Sequence, residues 1–338
     1  MKYFHKGVIA IFVLIPIVLG FVAYKYKDMP SSTTELVQQV EDGTVLIANE
    51  IDTTNGGIGT GFILSDNQIV TNHHVVDGNG KLFVYSSNSE RKYPVEVVYK
   101  DEIADLAVLR IVDWEVYKKN ENPVNLTLGN SDEMRVGDKV IVIGHPWGLT
   151  WSVSEGILSS KNRRMGPNPK FMDQVDAKLY QGNSGGPIFN EDGEIICVSN
   201  MMVTKEGGSY GFCIPSDLVR KVIHDLNTHK EVRWRILNIS VDLTEDGSYV
   251  KVSSLDADGA AAKAGIKEGD AILEIITPNN HPKGVKITNP YDLITELATL
   301  DGSDELVKLV IMRNGEKKMI DVKTNYKLSS DYTPNAGK

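Results

Sequence analysis

The sequence predicts a mostly β molecule: two antiparallel β-barrels, a smaller β-rich unit after them, and one apolar helix at the amino terminus. Three observations carry this expectation. Between about residues 37 and 215 the apolar residues come in short runs such as GTVLIAN, KLFVYSS, YPVEVVYK, LAVLRIV and DKVIVIGHP, each closed by turn residues. Some 180 residues of that kind exceed one small barrel and suit two. Residues 8–24, VIAIFVLIPIVLGFVAY, are 17 residues without a charge.

That first run is apolar on every face, so a buried soluble helix does not account for it. Lys2 and Lys6 precede it, Lys25 and Lys27 follow it, and Tyr3, Phe4, Tyr24 and Tyr26 sit where interfacial aromatics belong. Its length is at the short end for a membrane span and long for a signal-peptide core, and no clean A-x-A cleavage site follows. The expectation is an uncleaved transmembrane signal anchor over 8–24, with 1–7 as a cytoplasmic tail and everything after residue 27 exported. A cleaved signal peptide is the alternative. The polar stretch within 25–36 reads as a tether.

The first clear helical pattern is SDLVRKVIHDLNTH, 216–229, where Ser216 can cap and Leu218, Val219, Val222, Ile223 and Leu226 form one stripe. A second unit runs from about 230 to 325. Its strands fall near 236–242, 248–253, 271–276 and 306–323, the last a hairpin turned at Asn314-Gly315. Asn289-Pro290 starts an amphipathic helix carrying Tyr291, Leu293, Ile294 and Leu297. The tail 326–338 is polar and reads as loose. No internal repeat is visible.

Composition excludes some functions. The 45 acidic residues outnumber the 36 basic ones, a net charge of −9, so no basic face for nucleic acid is expected. The two cysteines, Cys197 and Cys213, give neither a disulfide framework nor a metal spacing, and no cofactor or metal is expected. Buried free thiols are the plainer reading of the pair. A cross-strand disulfide is the alternative if their runs pair as a hairpin about residue 205.

Chemistry is carried by GNSGGP, 182–187. Glycine at 182 leaves the backbone free to turn its N–H inward, so the amides of Gly182 and Ser184 could hold a negative oxygen beside the Ser184 hydroxyl. A serine nucleophile needs a base, and the base an orienting carboxylate. TNHHVV, 71–76, and DLAVLRI, 105–111, offer both, in the order His, Asp, Ser of chymotrypsin-type proteases. A plain turn, a core histidine and a strand-start acid each explain one motif. They do not explain three in this order on a β background.

GTGFILSDNQIVTNHHVV, DLAVLRI, GHPWGL, SVSEGILSS and GNSGGPIFNEDGEII together resemble the HtrA family of exported serine proteases, and the resemblance covers nearly everything after residue 40. It implies a chymotrypsin-like double β-barrel protease domain over 37–228, acting on protein substrates. His74, immediately before Val75, would be the base, Asp105 its orienting acid and Ser184 the nucleophile. His73 would be a loop residue and Asp101 structural. Leu179 matches an apolar position at the primary specificity pocket, implying a small or medium apolar residue before the cleaved bond. Lys178, if it entered that pocket, would turn the preference toward acidic residues.

GAAAKAGIKEGDAILEI, 259–275, resembles a PDZ domain, which implies such a domain over 229–325 that binds carboxyl-terminal peptides by strand addition. The carboxylate-binding loop would be Ile236, Leu237, Asn238 and Ile239, with Asn238 where the family usually has glycine. One anchor, one protease and one PDZ domain is the DegS-like layout. It implies a homotrimer on the periplasmic face of the bacterial inner membrane. Such proteases cleave a membrane-spanning anti-sigma factor when the PDZ domain binds the C-terminal peptides of misfolded outer-membrane proteins. Arg163 and Arg164, in KNRRMGPNPKF (161–171), would be the regulatory residues that relay this signal. The alternatives are a general quality-control protease of unfolded exported proteins, and a non-catalytic PDZ scaffold or holdase.

Overall fold

The computed structural model describes residues 30, 32–50, 59–65, 67–78, 80–87, 89–149, 151–165, 170–205, 208–277, 281–300 and 305–328. The expected tail 1–7 and anchor 8–24 lie outside the described residues. Among those described, no helix is long and apolar enough to cross a membrane.

The strand-like region folds as two closed antiparallel barrels. The first comprises β1 (Thr44–Asn49), β2 (Gly59–Ser65), β3 (Gln68–Thr71), β4 (Leu82–Tyr85), β5 (Tyr93–Asp101) and β6 (Leu106–Ile111), in the order β1-β2-β3-β6-β5-β4. The second comprises β7 (Lys139–Gly144), β8 (Ser152–Met165), β9 (Lys170–Val175), β10 (Pro187–Phe189), β11 (Ile195–Lys205) and β12 (Gly208–Pro215), in the order β7-β8-β9-β12-β11-β10. The two orders are the same. The sequence conceals this repeat, because barrel strands need only alternate, and many side chains satisfy alternation. Each barrel has its own core, one around Ile47, Ile69 and Leu109, the other around Val140, Leu158 and Ile196. A third core, with Phe62, Leu106, Ile143 and Phe189, welds barrel to barrel.

Among the described residues three α-helices flank the barrels ahead of residue 216, and the sequence reading placed none of them. α1 (Thr33–Val40) occupies part of the expected tether: Ser32 Oγ accepts the Glu35 N–H, and Leu36 and Val40 are buried in the shared core. Three apolar residues in eight, Leu36, Val37 and Val40, give too short a stripe to see before the surface they meet is known. α2 (His73–Val76) is a single turn, so His73 is helical rather than in a loop. α3 (Trp114–Glu121) is capped by Asp113 and buries Tyr117. The stretch 161–171 is also more regular than expected, since β8 runs to Met165 and β9 starts at Lys170.

α4 (Ser216–His229) has the predicted bounds and buries Val219, Val222 and Ile223. Ser216 is not its cap, however. Pro215 holds that position, and the Ser216 hydroxyl donates to the Gly129 carbonyl and accepts the Ser131 N–H, clipping the helix to the barrel.

β13 (Arg233–Ile236) and β20 (Asn325–Leu328) pair as a two-stranded sheet, so 326–328 of the expected loose tail are strand, and 329–338 lie outside the described residues. Val232 and Trp234 sit in the core that joins the barrels, which carries the barrel unit past the expected boundary at residue 229. The remaining strands are β14 (Ile239–Leu243), β15 (Val250–Leu255), β16 (Ala271–Thr277), β17 (His281–Lys286), β18 (Leu306–Arg313) and β19 (Glu316–Lys323). They form one sheet in the order β14-β15-β16-β18-β19, with β17 also on β16. Asn314 and Gly315 both have positive φ, 52° and 81°, as a tight hairpin turn demands. α5 (Ala260–Lys263) and α6 (Pro290–Ala298) complete the unit, and Asn289 Oδ1 accepts the Asp292 N–H at the start of α6 as expected.

Candidate active site

The register of the first barrel brings its candidate residues together. β3 pairs with β6, Thr71 opposite Ala107, so the turn after β3 and the residue before β6 are neighbours. His74 lies on that turn and Asp105 is that residue. The Asp105 carboxylate, 3% exposed, accepts the His74 backbone N–H at 3.1 Å and its Nδ1 at 2.9 Å. The Asp105 carbonyl accepts the His73 N–H and Asn72 Nδ2. An ionised carboxylate only accepts, so Nδ1 carries the hydrogen and Nε2 of the neutral ring has a lone pair.

Ser184 comes from the second barrel on a turn closed by Asn183 N–H to Tyr180 O and Gly186 N–H to Asn183 O. The Thr60 N–H donates to the Ser184 carbonyl at 2.9 Å, across the barrel boundary. Gly185 has φ 82°, and a Cβ there would lie 2.1 Å from Thr71 Oγ1 and 2.3 Å from the Thr60 carbonyl. Only glycine lets this turn press so closely on the first barrel. The Ser184 hydroxyl donates to the Asn200 carbonyl at 3.2 Å, and no hydrogen bond joins it to His74. Asn200 Nδ2 in turn donates to Asp105 at 2.8 Å. One buried asparagine thus touches both the Ser184 hydroxyl and the Asp105 carboxylate.

The backbone around Gly182 is held from behind. Gln181 O accepts the Trp147 N–H at 2.8 Å, and Gly182 O accepts the Thr60 hydroxyl at 2.7 Å. The C=O and N–H of a trans peptide point in opposite directions. Fixing the Gln181 carbonyl on Trp147 therefore aims the Gly182 N–H the other way. Among the described residues neither the Gly182 nor the Ser184 N–H has an acceptor. The Thr60 hydroxyl has one hydrogen, spent on Gly182, so at 3.0 Å His145 Nδ1 must be the donor to Thr60. His145 is fully buried, and desolvation pushes its pKa down to about 3, so the ring is neutral. Among the described residues its buried Nε2 has no hydrogen-bond partner, nor has Nε1 of Trp151, whose ring lies edge-on 4.1 Å away.

Beside Ser184 lies a cavity of about 180 Å³ walled by Leu179, Tyr180, Ser199, Asn200, Met201 and Met202. Leu179, the sequence candidate for a substrate pocket, is one of these walls. Lys178 is exposed and is not one of the walls. Behind the cavity the two cysteines form a disulfide, Cα atoms 5.6 Å apart, which replaces the free-thiol reading. They are diagonal rather than opposite: Cys197 faces Pro215, and Cys213 faces Ser199 beside a bulge. A bulge shifts register, and spacing alone does not reveal it.

Thr60, Asn200, Met201 and Met202 escaped the sequence reading. Each lies in a strand whose pattern says only that it is part of a sheet. The other candidates stand apart from this centre. Ile236, Leu237, Asn238 and Ile239 head a groove between β14 and α6 in the second unit. Asn238 has φ 60°, the left-handed conformation expected where relatives carry glycine. Arg163 is exposed on β8, and the side chain of Arg164 lies outside those described. Asp101 is buried in the turn before Asp105, where it accepts the Ala104 N–H.

Comparison with known proteins agrees with this geometry. Residues 59–198 match the family model of the trypsin-like peptidase domain. Two curated relatives are probable periplasmic DegP-like serine endoproteases. The one from Halomonas elongata is 35% identical over 78% of this chain and 56% of its own length. The one from Chlamydia pneumoniae is 35% identical over 78% and 54%. The chain thus spans about half the length of these curated relatives. Among solved structures, the serine endoprotease from Yersinia pestis is 30% identical, covers 88% of this chain and 99% of its own, and superposes with a TM-score of 0.61. The HtrA-type protease AlgW with tripeptide is 25% identical over 91% and 100%, with a TM-score of 0.69. On the twin barrels, on the turn that presents Ser184 and on these likenesses, the chain belongs to the HtrA-type serine endoproteases of the trypsin-like fold.

Proposed function

We propose that the chain is an endopeptidase of exported proteins in which Ser184 is the nucleophile, His74 the general base and Asp105 the residue that orients it. The observation that carries this is the pair of unspent amides at Gly182 and Ser184, beside a serine that one residue, Asn200, connects to the His74–Asp105 couple. In the reaction the Ser184 hydroxyl leaves the Asn200 carbonyl and turns to His74 Nε2. As Oγ attacks the peptide carbonyl, His74 takes its proton, and the oxyanion accepts the two amides. His74 then gives that proton to the leaving amine, and water cleaves the acyl-enzyme by the same steps. The apolar cavity and the exposed Lys178 favour an aliphatic residue before the cleaved bond. Ser184→Ala should abolish both proteolysis and labelling by a fluorophosphonate probe. Undiminished hydrolysis by that variant would exclude this centre, and absence of labelling in the native chain would favour a non-catalytic scaffold.

The second unit we read as a PDZ domain that receives a peptide carboxyl terminus. β14 is an edge strand, so its outer edge is open to a further strand, and α6 forms the other wall of the groove. The AlgW likeness, solved with a tripeptide, accords with this. The finer reading is the regulated DegS-like role: a periplasmic homotrimer tethered to the inner membrane through 8–24. Peptides of misfolded outer-membrane proteins would switch it on, Arg163 or Arg164 would relay the signal, and an anti-sigma factor would be its substrate. Adding a peptide with a free C-terminal carboxylate should raise the rate, and the amidated peptide should not. Equal rates with and without peptide on an unfolded substrate would favour general quality control. Activation left unchanged in both Arg163→Ala and Arg164→Ala would remove those residues from the relay.

A further inference from the structure

Asp105 has φ 56°, a left-handed conformation that a residue with a side chain holds only when its surroundings impose it. What imposes it is the turn 101–104. Asp101, fully buried at the end of β5, accepts the Ala104 N–H on Oδ1 at 2.7 Å and so fixes the backbone that enters Asp105. Its other oxygen accepts the indole N–H of Trp234 at 3.0 Å. Tyr99 OH reaches the same oxygen at 3.4 Å, a longer contact.

Trp234 is not in either barrel. It lies on β13, beyond α4, and the residues after it head the groove of the second unit. Its ring is 6% exposed and lies beneath Lys221 Nζ, 4.4 Å from the ring centre. Lys221 is itself held by Asp225 at 2.7 Å and by the Arg233 carbonyl at 2.8 Å. The indole is therefore held on its face by Lys221 and at its edge by Asp101, on which its one donor is spent.

We propose that Asp101 and Trp234 are positioning residues for Asp105, so that the strand leading into the second unit completes the acid site of the proteolytic centre. Without the indole, a buried carboxylate oxygen loses its best donor, and the turn relaxes toward whatever else can satisfy it. Asp105 then drifts from His74 and Asn200, to which its bonds are 2.9 and 2.8 Å. Small displacements of an orienting group are expensive in rate and cheap in substrate binding.

The proposal rests on the proteolytic reading above, and Ser184→Ala judges that reading separately. The test uses the full chain and a chromogenic peptide with leucine before the cleaved bond. Trp234→Phe keeps the ring under Lys221 and removes the N–H. It should lower kcat roughly tenfold with KM within about twofold, and slow fluorophosphonate labelling by the same factor. Val232→Ala truncates a neighbouring core residue with no polar contact, and should lower the melting temperature while leaving kcat unchanged. Asp101→Asn should lower kcat too, and the double variant should be no slower than the slower single. If Trp234→Phe does not fold, Asp101→Asn carries the same readouts. The proposal falls if Trp234→Phe keeps native kcat, if Val232→Ala loses as much kcat at equal loss of melting temperature, or if the two single effects multiply. If Ser184→Ala still hydrolyses the peptide, the proteolytic reading falls first and takes the proposal with it.

Discussion

The Thr60 hydroxyl does two things with one hydrogen and two lone pairs: it holds the Gly182 carbonyl and accepts from His145. The first fixes the Gly182–Asn183 peptide unit, which lies between the two units whose amides form the candidate oxyanion hole, and the second braces the loop whose Trp147 N–H holds the Gln181 carbonyl. Thr60→Val keeps the shape and removes the pin, so kcat should fall about tenfold, less than the roughly 100-fold or more that follows loss of a hole donor itself. Thr60→Ser should restore most of it, and steady-state kinetics separate the two. Gly182 is less forgiving. A Cβ at φ 103° would stand 2.3 Å from the His145 carbonyl, so Gly182→Ala must rotate the peptide or push the 145–149 loop away. Activity should drop about 100-fold while the circular dichroism spectrum stays native. The contrast between these residues shows where sequence stops informing. Glycines around a serine announce a turn that must be exact in shape, whereas Thr60 and Asn200 gain their roles from partners 122 and 95 residues away.

Among elements, the β11–β12 hairpin matters most to the site. It supplies Asn200, Met201 and Met202, and its disulfide closes a sequence separation of 16 residues. Cys213→Ala should cost about 3 kcal/mol from loop entropy, read as a shift of the urea unfolding midpoint at constant slope. Native protein unfolded with a reductant present should match the variant, and coincident midpoints for all three would show that the bridge carries no stability. Elements with a strong local signal were legible: the 216–229 helix from its stripe, the α6 start from Asn289-Pro290, the last hairpin from Asn314-Gly315. Those stabilised from outside were not. α1 buries only Leu36 and Val40, with Val37 half-buried beside them, and β20 is a strand only because β13 lies beside it. The cysteine pairing was open for the same reason, since it depends on a bulge between Ser199 and Met201.

At the scale of the molecule, the second barrel and α6 meet over a small cavity lined by Asp173, Lys161, Asp217, Thr295 and Thr299. Nearby, His281 of the second unit lies 2.8 Å from Glu296 and 3.8 Å from Asp132 of the protease side. Asp173 is 2% exposed, and burial pushes its carboxyl up to about 6; Asp132 and Asp217 push the same way, against the Asn162 N–H and Lys161. Below about pH 4 both folded and unfolded chains hold this proton. Between about 4 and 6 the folded chain keeps a proton that the unfolded chain has released, so this group's contribution to stability declines as pH rises. Above 6 the folded state bears the whole cost of a buried charge, at most about 3 kcal/mol from a shift of about two units. Asp173→Asn cannot ionise and still offers an oxygen to the Asn162 N–H, which the native carboxylate accepts at 3.0 Å. The variant should therefore be more stable than the native chain at pH 7.5, by less near pH 5.5, and by nothing at pH 4. His145, buried and neutral in both proteins, cancels from that difference. Urea unfolding at the three pH values measures it, and a gain that does not change with pH would mean that the Asp173 carboxyl titrates alike in folded and unfolded chains.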